Sequence, residues 1–340
     1  MPDTSTDPST EVSLCNGAGT TALVSTFGAR LVELLTRDRT GTRSNVVLGF
    51  DSESEYRNRV NLYFGSTVGR VAGRIENSIF RGGGLEFALS PNEGDNHLHG
   101  GPRRAMDRVQ WDISEIQGDH SVTMRYVSAH GEEGYPGVMT VDVTYELTAD
   151  NDLIYTCTAI TDRPCPVNLV NHTYWNLSGD ATESIVGHEF KLLSSQILET
   201  DAGLLPTGRT TEVHETPYDF TSARTIGSDL PTKGTEPWPG IDSTYLLDDH
   251  TPMEVVARLK HAASGRVLEI ATSEPTLQVY TGNRIPNLSG RSGAHYSAGS
   301  GICIEAQRIP DSPRLPWSPT TVIGPADEYR QVTVWRFRTD

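Results

Sequence analysis

Short segments in which apolar and polar residues alternate dominate the middle of the chain. The alternation runs through residues 109–116, 121–128, 137–148 and 153–162, and turn residues such as glycine and aspartate separate the segments. A period of two places apolar side chains on one face of a β-strand and polar side chains on the other. Segments of this length and spacing are typical of antiparallel strands, so the pattern predicts an all-β fold.

The abundance of turn-forming residues agrees with many short strands. The chain of 340 residues contains 32 glycines and 20 prolines, and only 36% of its residues are hydrophobic. No repeat or linker divides residues 13–340, so we expect one all-β domain with little helix, because β architectures often run past about 200 residues as one unit. Residues 1–12 are rich in Asp, Ser, Thr and Pro, which predicts a disordered N-terminal tail.

The charge and the cysteines restrict the possible partners. The formal net charge of −16 would repel the phosphates of nucleic acid and an anionic membrane surface. No apolar run is long enough to span a membrane, and the N-terminus does not resemble a signal peptide. Four scattered cysteines without a CxxC pair indicate a reducing compartment. We therefore expect a cytoplasmic protein, a monomer or a homodimer, that acts on a small molecule.

Residues 167–177 form a mainly apolar segment, interpreted as one strand, that carries an unusual number of polar groups. These are Asn168, Asn171, His172 and Asn176. A buried polar group without a partner costs about 1–3 kcal/mol, so the segment either has a solvated face or lines a polar pocket. The adjacent rings of Tyr174 and Trp175 favour the pocket. The imidazole of His172 titrates near neutral pH and can donate and accept a proton, although a lone histidine is more often structural.

Within residues 301–311, Glu305 lies in the otherwise apolar run of residues 302–306. If residues 302–306 form a strand, Cys303, Glu305 and Gln307 lie on one face. A glutamate in an enclosed site tends to have a raised pKa, which suits a general base, whereas the alternative is an exposed glutamate on a half-solvated strand. One imidazole and one carboxylate are the minimum for general acid–base catalysis, so His172 and Glu305 are a candidate pair.

A group of three histidines predicts a competing kind of site. His97 and His99 would share a face of a strand, and together with His172 they could bind a zinc ion. Arg70 and Arg74 lie four residues apart in a glycine-rich segment, and either side chain could point into a site or into solvent. The sequence contains no GxGxxG, P-loop or GxSxG motif, so nucleotide binding and serine hydrolase chemistry have no support.

Four further residues are candidates for the wall of a polar pocket. Asp242 ends a loop rich in proline and glycine, where a carboxylate could bind sugar hydroxyls or cap a turn. The other three are Asn171, Tyr174 and Gln278, for which a half-exposed strand position is an equally good interpretation.

Taken in order, these motifs resemble those of the aldose 1-epimerase (galactose mutarotase) family. The resemblance runs through nearly the whole chain, in residues 28–29, 47–50, 69–75, 96–101, 171–177, 216–219, 240–242, 280–283, 305–307 and 310–311. It implies a β-supersandwich with an open, polar cleft. It also implies an isomerase that interconverts the α and β anomers of an aldohexose such as galactose or glucose, with no metal or organic cofactor.

The resemblance also implies roles for individual residues. Glu305 would be the general base and His172 the general acid, while Arg74 and His99 would hold the sugar and Asp242 would bind hydroxyl groups. The chain departs from the family pattern at Gly73, Ser243, Ala306 and residues 312–314. Because the acid and the base are present, these departures bear on the preferred sugar more than on the chemistry.

Three alternatives to this function follow from the same residues. The protein could act on a phosphorylated or modified sugar, or on another cyclic hemiacetal. It could be a carbohydrate-binding protein without catalysis, although the presence of both Glu305 and His172 argues against this. It could be a metal-dependent enzyme that uses His97, His99 and His172.

Overall fold

The computed structural model describes residues 10–181, 183–230, 239–251, 253–310 and 321–340. These parts of the chain form short and medium-length strands with one α-helix, α1 (Glu53–Asn58), so the predicted all-β fold with little helix is confirmed. The 3₁₀-helices are Val60–Leu62, Glu76–Ser78, Met106–Arg108, Glu132–Gly134, Ile185–Gly187 and Arg291–Gly293.

The strands of the described residues are, in chain order, β1 (Glu11–Cys15), β2 (Thr21–Ser25), β3 (Arg30–Arg37), β4 (Arg43–Asn45), β5 (Thr67–Val68), β6 (Arg74–Ile75), β7 (Ile79–Gly82), β8 (Leu85–Ala88), β9 (His97–Leu98), β10 (Asp112–Gln117), β11 (Ser121–Ser128), β12 (Met139–Leu147), β13 (Asp152–Thr161), β14 (Cys165–Pro166), β15 (Val170–Asn171), β16 (Tyr174–Trp175), β17 (Glu189–Leu192), β18 (Gln196–Thr200), β19 (Pro206–Glu212), β20 (Arg224–Thr225), β21 (Asp242–Leu246), β22 (Val255–Lys260), β23 (Arg266–Thr272), β24 (Thr276–Tyr280), β25 (Leu288–Ser289), β26 (His295–Tyr296), β27 (Ile302–Gln307), β28 (Val322–Ile323) and β29 (Tyr329–Thr339).

The four segments with strict alternation form four of the nine strands of the largest sheet. They correspond to β10, β11, β12 and β13, and each is antiparallel to the next. The complete sheet has the order β10-β11-β12-β13-β29-β23-β22-β17-β20. Every second residue of β12 is buried, as the period of two predicts, because one face of the sheet covers the core.

A second, six-stranded sheet has the order β16-β27-β24-β21-β18-β19 and packs on the same core. Ile302, Ile304 and Ala306 of β27 belong to the hydrophobic cluster that also contains the inner side chains of β11, β12 and β13. The rings of Trp175 and Trp335 meet between the sheets at a centroid distance of 5.4 Å. The two sheets therefore form a β-sandwich, and the other face of the six-stranded sheet is left for a binding site.

The segment 167–177 is not one strand, as its apolar content had indicated. It contains two short strands that pair with different partners, β15 with β5 and β16 with β27. His172 and Thr173 lie between them, where the backbone passes from one ladder to the other. The interruption exists because each half finds its hydrogen-bonding partners on a separate, distant part of the chain.

The predicted disordered tail covers residues that the structure describes only in part. Residues 1–9 lie outside the described ranges, whereas Glu11 and Val12 are the first residues of β1. Residues 231–238 of the proline-rich loop and residues 312–314 of the departing motif also lie outside these ranges. Among the described residues, the structure has no helix with the length and apolar character needed to cross a membrane.

Candidate active site

A cleft of about 590 Å³ opens on the face of the six-stranded sheet that does not cover the core. Three neighbouring strands supply its floor, because their alternate side chains point away from the hydrophobic cluster. These side chains are Asp242 and Thr244 from β21, Gln278 and Tyr280 from β24, and Glu305 and Gln307 from β27.

The register of the strands arranges these side chains in two rows. Glu305 lies opposite Gln278, which lies opposite Thr244. Cys303, Tyr280 and Asp242 form the neighbouring row. Opposite residues in antiparallel strands have Cβ atoms about 4.5–5.5 Å apart, so the sheet itself brings distant parts of the chain within reach of one small ligand.

Glu305 and His172 face each other in this cleft. The distance between Nε2 of His172 and Oε1 of Glu305 is 3.7 Å, and both residues are only 4% exposed. Desolvation raises the pKa of Glu305 well above its usual value, and the charge of Asp242 adds to this shift. Desolvation also lowers the pKa of His172 to about 4. Burial thus favours the uncharged form of each group.

The imidazole of His172 is held on its other side. Its Nδ1 lies 3.3 Å from Sγ of Cys303, and the ring stacks on Tyr174 at 5.1 Å and on Tyr63 at 5.4 Å. The backbone N–H of His172 donates to the carbonyl of Ser66. The ring therefore has a defined orientation in which Nε2 faces Glu305.

His99 presents one donor to the cleft. The backbone N–H of Gly73 donates to its Nδ1 at 3.2 Å, so the neutral ring carries its proton on Nε2. Desolvation holds the pKa of His99 well below its usual value. The next residue, Gly100, has φ of +86°, and a Cβ there would lie 1.8 Å from the carbonyl oxygen of Gly69. Only glycine allows this close approach, which places His99 at the cleft.

Asp242 belongs to a short hydrogen-bonded chain across the floor of the cleft. The Oγ1 of Thr244 donates to Oε1 of Gln278, and Nε2 of Gln278 donates to Oδ1 of Asp242 at 2.8 Å. Desolvation raises the pKa of Asp242, which the nearby charge of Arg74 partly offsets. None of the described residues donates a hydrogen bond to the second carboxylate oxygen of Asp242, which can accept one from a hydroxyl group of a ligand.

Arg74 lines the cleft in a two-pronged ion pair. Its Nε and Nη2 donate to Glu93 at 2.5 Å and 2.7 Å, and both side chains are part of the cleft wall. Arg70, four residues earlier, is buried and points away from the cleft. Of the two arginines, either of which could point into a site by sequence alone, the structure thus places Arg74 at the cleft.

Two of the candidate residues do not lie at the cleft. Asn171 is buried behind it, where its amide donates to the carbonyl of Gly65 and to the hydroxyl of Tyr145, so the prediction that it contacts the sugar does not agree with its position. His97 has both ring nitrogens engaged, with Ser90 and Tyr135. It cannot offer a nitrogen to an ion in this arrangement, and the three-histidine site does not form.

The described residues contain one other group with the composition of a metal site. His172, Cys303 and Glu305 offer ligand atoms within 4.8 Å of one another. The thiolate is the form of cysteine that binds metals, and desolvation raises the pKa of Cys303 well above its usual value. This group is thus a poor fit to a metal ion, and the same atoms are better suited to proton transfer.

Several cleft residues were missed by the sequence analysis. Thr244 and Tyr280 lie two positions from Asp242 and Gln278, so the period of two along β21 and β24 could have identified them. Tyr63 and Glu93 lie in loops with no comparable signal. Of the departures from the family pattern at Gly73, Ser243 and Ala306, only Gly73 lines the cleft.

Comparison with known proteins places this cleft in a family. The family model described as "Aldose 1-epimerase" matches residues 10–336. The "Galactose mutarotase" of Mus musculus is 38% identical over 312 residues, which cover 92% of this chain and 89% of the mouse protein. The "Aldose 1-epimerase" of Escherichia coli K12 is 33% identical over 330 residues, which cover 96% and 94% of the two chains.

Solved structures agree with these sequences. An aldose epimerase homologue from C. elegans superposes with a TM-score of 0.89 at 30% identity, covering 97% of this chain and 98% of the other. Galactose 1-epimerase from Lactobacillus acidophilus superposes with a TM-score of 0.83 at 28% identity, covering 97% and 94%. The chain therefore belongs to the aldose 1-epimerase family, a family of isomerases.

Proposed function

We propose that this protein interconverts the α and β anomers of an aldohexose such as galactose or glucose, with Glu305 and His172 as its base and acid. The observation that carries the proposal is the 3.7 Å approach of Nε2 of His172 to Oε1 of Glu305 in a cleft lined by hydrogen-bonding groups. Membership of the family supports the same reaction.

Ring opening removes the proton of the anomeric hydroxyl and adds a proton to the ring oxygen, the two oxygens bonded to the sugar's hemiacetal carbon. The pair holds one proton, which burial favours on Glu305; once this proton lies on Nε2 of His172, the Glu305 carboxylate takes the proton of the anomeric hydroxyl while His172 gives its Nε2 proton to the ring oxygen. The bond between C1 and the ring oxygen breaks, and the pair of electrons on the anomeric oxygen forms the aldehyde carbonyl. A positioned acid or base typically accelerates such a step about 10²–10⁴-fold.

Ring closure uses the same groups in the opposite roles. Rotation about the bond between C1 and C2 turns the other face of the aldehyde toward the ring hydroxyl. His172 takes the proton of this hydroxyl as its oxygen attacks C1, and Glu305 returns its proton to the carbonyl oxygen. The two residues share one proton throughout, so each turnover restores the starting state. Arg74, His99, Asp242 and Gln278 hold the sugar meanwhile.

The direct test of this function is a measurement of anomer exchange. Freshly dissolved α-D-galactose and α-D-glucose are followed by polarimetry or by the anomeric signals in proton NMR, with and without a chelator. We expect acceleration over the spontaneous rate that the chelator does not change. The proposal fails if the folded protein does not accelerate the exchange of either sugar, and a loss of activity with the chelator would favour a metal-dependent enzyme.

The pH dependence of kcat/KM should show over which pH range Glu305 and His172 hold one proton between them. Activity requires Glu305 and His172 to hold one proton between them. It therefore falls at low pH, when His172 is protonated as well as Glu305, and at high pH, when the pair loses its one proton. We expect an acid limb near pH 4, from the lowered pKa of His172, and an alkaline limb well above the usual carboxylate range.

This profile is obtained from initial rates corrected for the spontaneous reaction, with circular dichroism at each pH as the control for folding. An acid limb with its midpoint near 6.5, the usual pKa of histidine, would contradict the proposed pair. In His172→Asn the acid limb should disappear together with most of the activity, because asparagine does not titrate.

A further inference from the structure

The cleft contains a carboxylate that the proposed reaction does not use. Glu93 accepts hydrogen bonds from Nε and Nη2 of Arg74 at 2.5 Å and 2.7 Å, and the side chains are 33% and 15% exposed. This two-pronged geometry is the strongest form of an arginine–carboxylate pair. Nη1 of Arg74 donates to none of the residues that the structure describes, so it is the guanidinium nitrogen left for a ligand.

The turn that carries Glu93 is built onto the strand opposite Arg74. Arg74 begins β6, which pairs with β9 so that Arg74 lies opposite Leu98. The side chain of Asn92 accepts from the backbone N–H of Leu98 at 2.6 Å and donates to its carbonyl at 2.9 Å. Glu93 bridges to Asn96 across the same turn. The turn is therefore anchored at both ends, and Glu93 has a defined position.

Glu93 offsets one of the positive charges around the cleft. The described residues that line it include three arginines and three carboxylates, which are Arg74, Arg108, Arg284, Glu93, Asp242 and Glu305. Arg108 already donates to the carbonyl of Pro102 and to Asn61. Replacing Glu93 with a neutral residue would leave Arg74 without its partner and would shift the charge of the cleft by one positive unit.

We propose that Glu93 is a specificity-determining residue, which makes the cleft select neutral aldohexoses over sugars that carry a carboxylate or a phosphate. Glu93 does this by neutralising Arg74, which would otherwise attract an anion, and by directing Nη1 of Arg74 toward the sugar. The inference rests on the proposed function, since it names the class of substrate for the same cleft. It also explains how a cleft lined by three arginines can bind an uncharged sugar.

The test compares Glu93→Gln with the wild-type protein on a neutral and an anionic sugar. The ratio of kcat/KM for D-galacturonate to kcat/KM for D-galactose should rise about 3- to 30-fold, as expected for unit charges roughly 5–8 Å apart at a partly exposed site. Added salt should reduce this rise. Galactose 6-phosphate is the second anionic probe, and its ratio should rise in the same direction.

Asp142→Asn is the matched control. Asp142 forms the same two-pronged pair with Arg125, with both distances 2.7 Å, on an exposed face of the nine-stranded sheet. This variant changes the net charge by the same amount but should leave the ratio at the wild-type value. The proposal is overturned if Glu93→Gln leaves the ratio within twofold of wild type, or if Asp142→Asn raises it equally.

Two further measurements keep the test decisive. Arg74→Met removes the cation and should lower the relative use of D-galacturonate, which provides an answer even if Glu93→Gln does not fold. Calorimetric titration of both sugars gives the ratio of binding constants without turnover. If the wild-type protein fails to exchange anomers, the proposed function fails, and the binding ratio in Glu93→Gln still confirms or overturns the role of Glu93.

Discussion

Replacing Glu305 by glutamine should lower kcat for anomer exchange about 10²–10⁴-fold, the usual contribution of a positioned base. Glutamine has nearly the same shape, so it can occupy the same place opposite Gln278, but it cannot take the proton of the anomeric hydroxyl. KM should change much less than kcat, because Arg74, His99 and Asp242 remain in the cleft. Polarimetry over a range of sugar concentrations separates the two constants.

His172→Asn should lose a comparable factor, and the double variant should lose little more than either single one. Groups that act together in one proton transfer are not additive, because removing either of them already disables the transfer. A double variant whose losses multiply would indicate two independent contributions and would contradict the shared-proton mechanism.

Glu274→Gln is the matched control for the glutamate substitution. Glu274 is also 4% exposed, and desolvation raises its pKa to about 7, but it does not line the cleft. This variant should keep kcat close to wild type. If Glu305→Gln retained more than about a tenth of the wild-type kcat, which is less than a catalytic base should contribute, the assignment of Glu305 would be wrong.

The melting temperature of Glu305→Gln shows whether a loss of activity comes from the missing base or from an unfolded protein. A carboxyl group with a raised pKa binds its proton more tightly in the folded state than in the unfolded state, so its contribution to stability declines as pH rises above the unfolded value. Desolvation produces such a shift at Glu305. Glu305→Gln should thus melt at the same temperature as wild type or higher, with the difference growing toward alkaline pH.

The second large effect is expected at Arg70, where substitution should lower the stability of the fold rather than remove a group that takes part in the reaction. Arg70 is 2% exposed, and its guanidinium donates to the Oγ of Ser128 and to the carbonyl oxygens of Ser128, Ala129, Pro136 and Gly137, at 2.9–3.0 Å. Arg70→Met removes all of these hydrogen bonds, and those to Ser128 and Gly137 are buried. We expect the free energy of unfolding to fall by about 3–5 kcal/mol, measured by urea denaturation.

Arg74→Met is the comparison that separates the two arginines of the same motif. Arg74 lies at the cleft and pairs with Glu93 at a partly exposed position, so its loss should cost only about 1 kcal/mol of stability. It should raise KM for the sugar instead. The assignment would be contradicted if Arg70→Met were as stable as Arg74→Met, or if Arg70→Met folded normally and bound sugar weakly.

The parts of the fold that could be predicted from sequence are those with a local cause. The alternation in residues 121–128 coincides with β11, and those in residues 137–148 and 153–162 extend only slightly beyond or short of β12 and β13. Each of these strands covers the core with one face, so every second residue of the sequence is apolar. Residues 167–177 pair with two separate strands, and no periodic pattern in their sequence indicates this. The prediction of one strand there is therefore wrong.

The candidate acid and base could also be identified from sequence, because a polar group in an apolar strand needs either solvent or a hydrogen-bonding partner. The face shared by Glu305 and Gln307 follows from the period of two, and both line the cleft. The same reasoning does not account for Asn171, which the structure places behind the cleft. Its amide has partners at Gly65 and Tyr145, whose positions relative to Asn171 no local pattern reveals.

What the sequence determined by itself is thus the β architecture, its family and the kinds of group that could transfer protons. Only the tertiary structure decided which of two arginines reaches the cleft, that both nitrogens of His97 are engaged, and that Glu93 neutralises Arg74. The physical reason is that periodicity fixes the face of a strand on which a side chain lies, whereas its partners come from other strands and turns. Contacts between residues far apart in the chain are set by register and packing, which the local sequence does not encode.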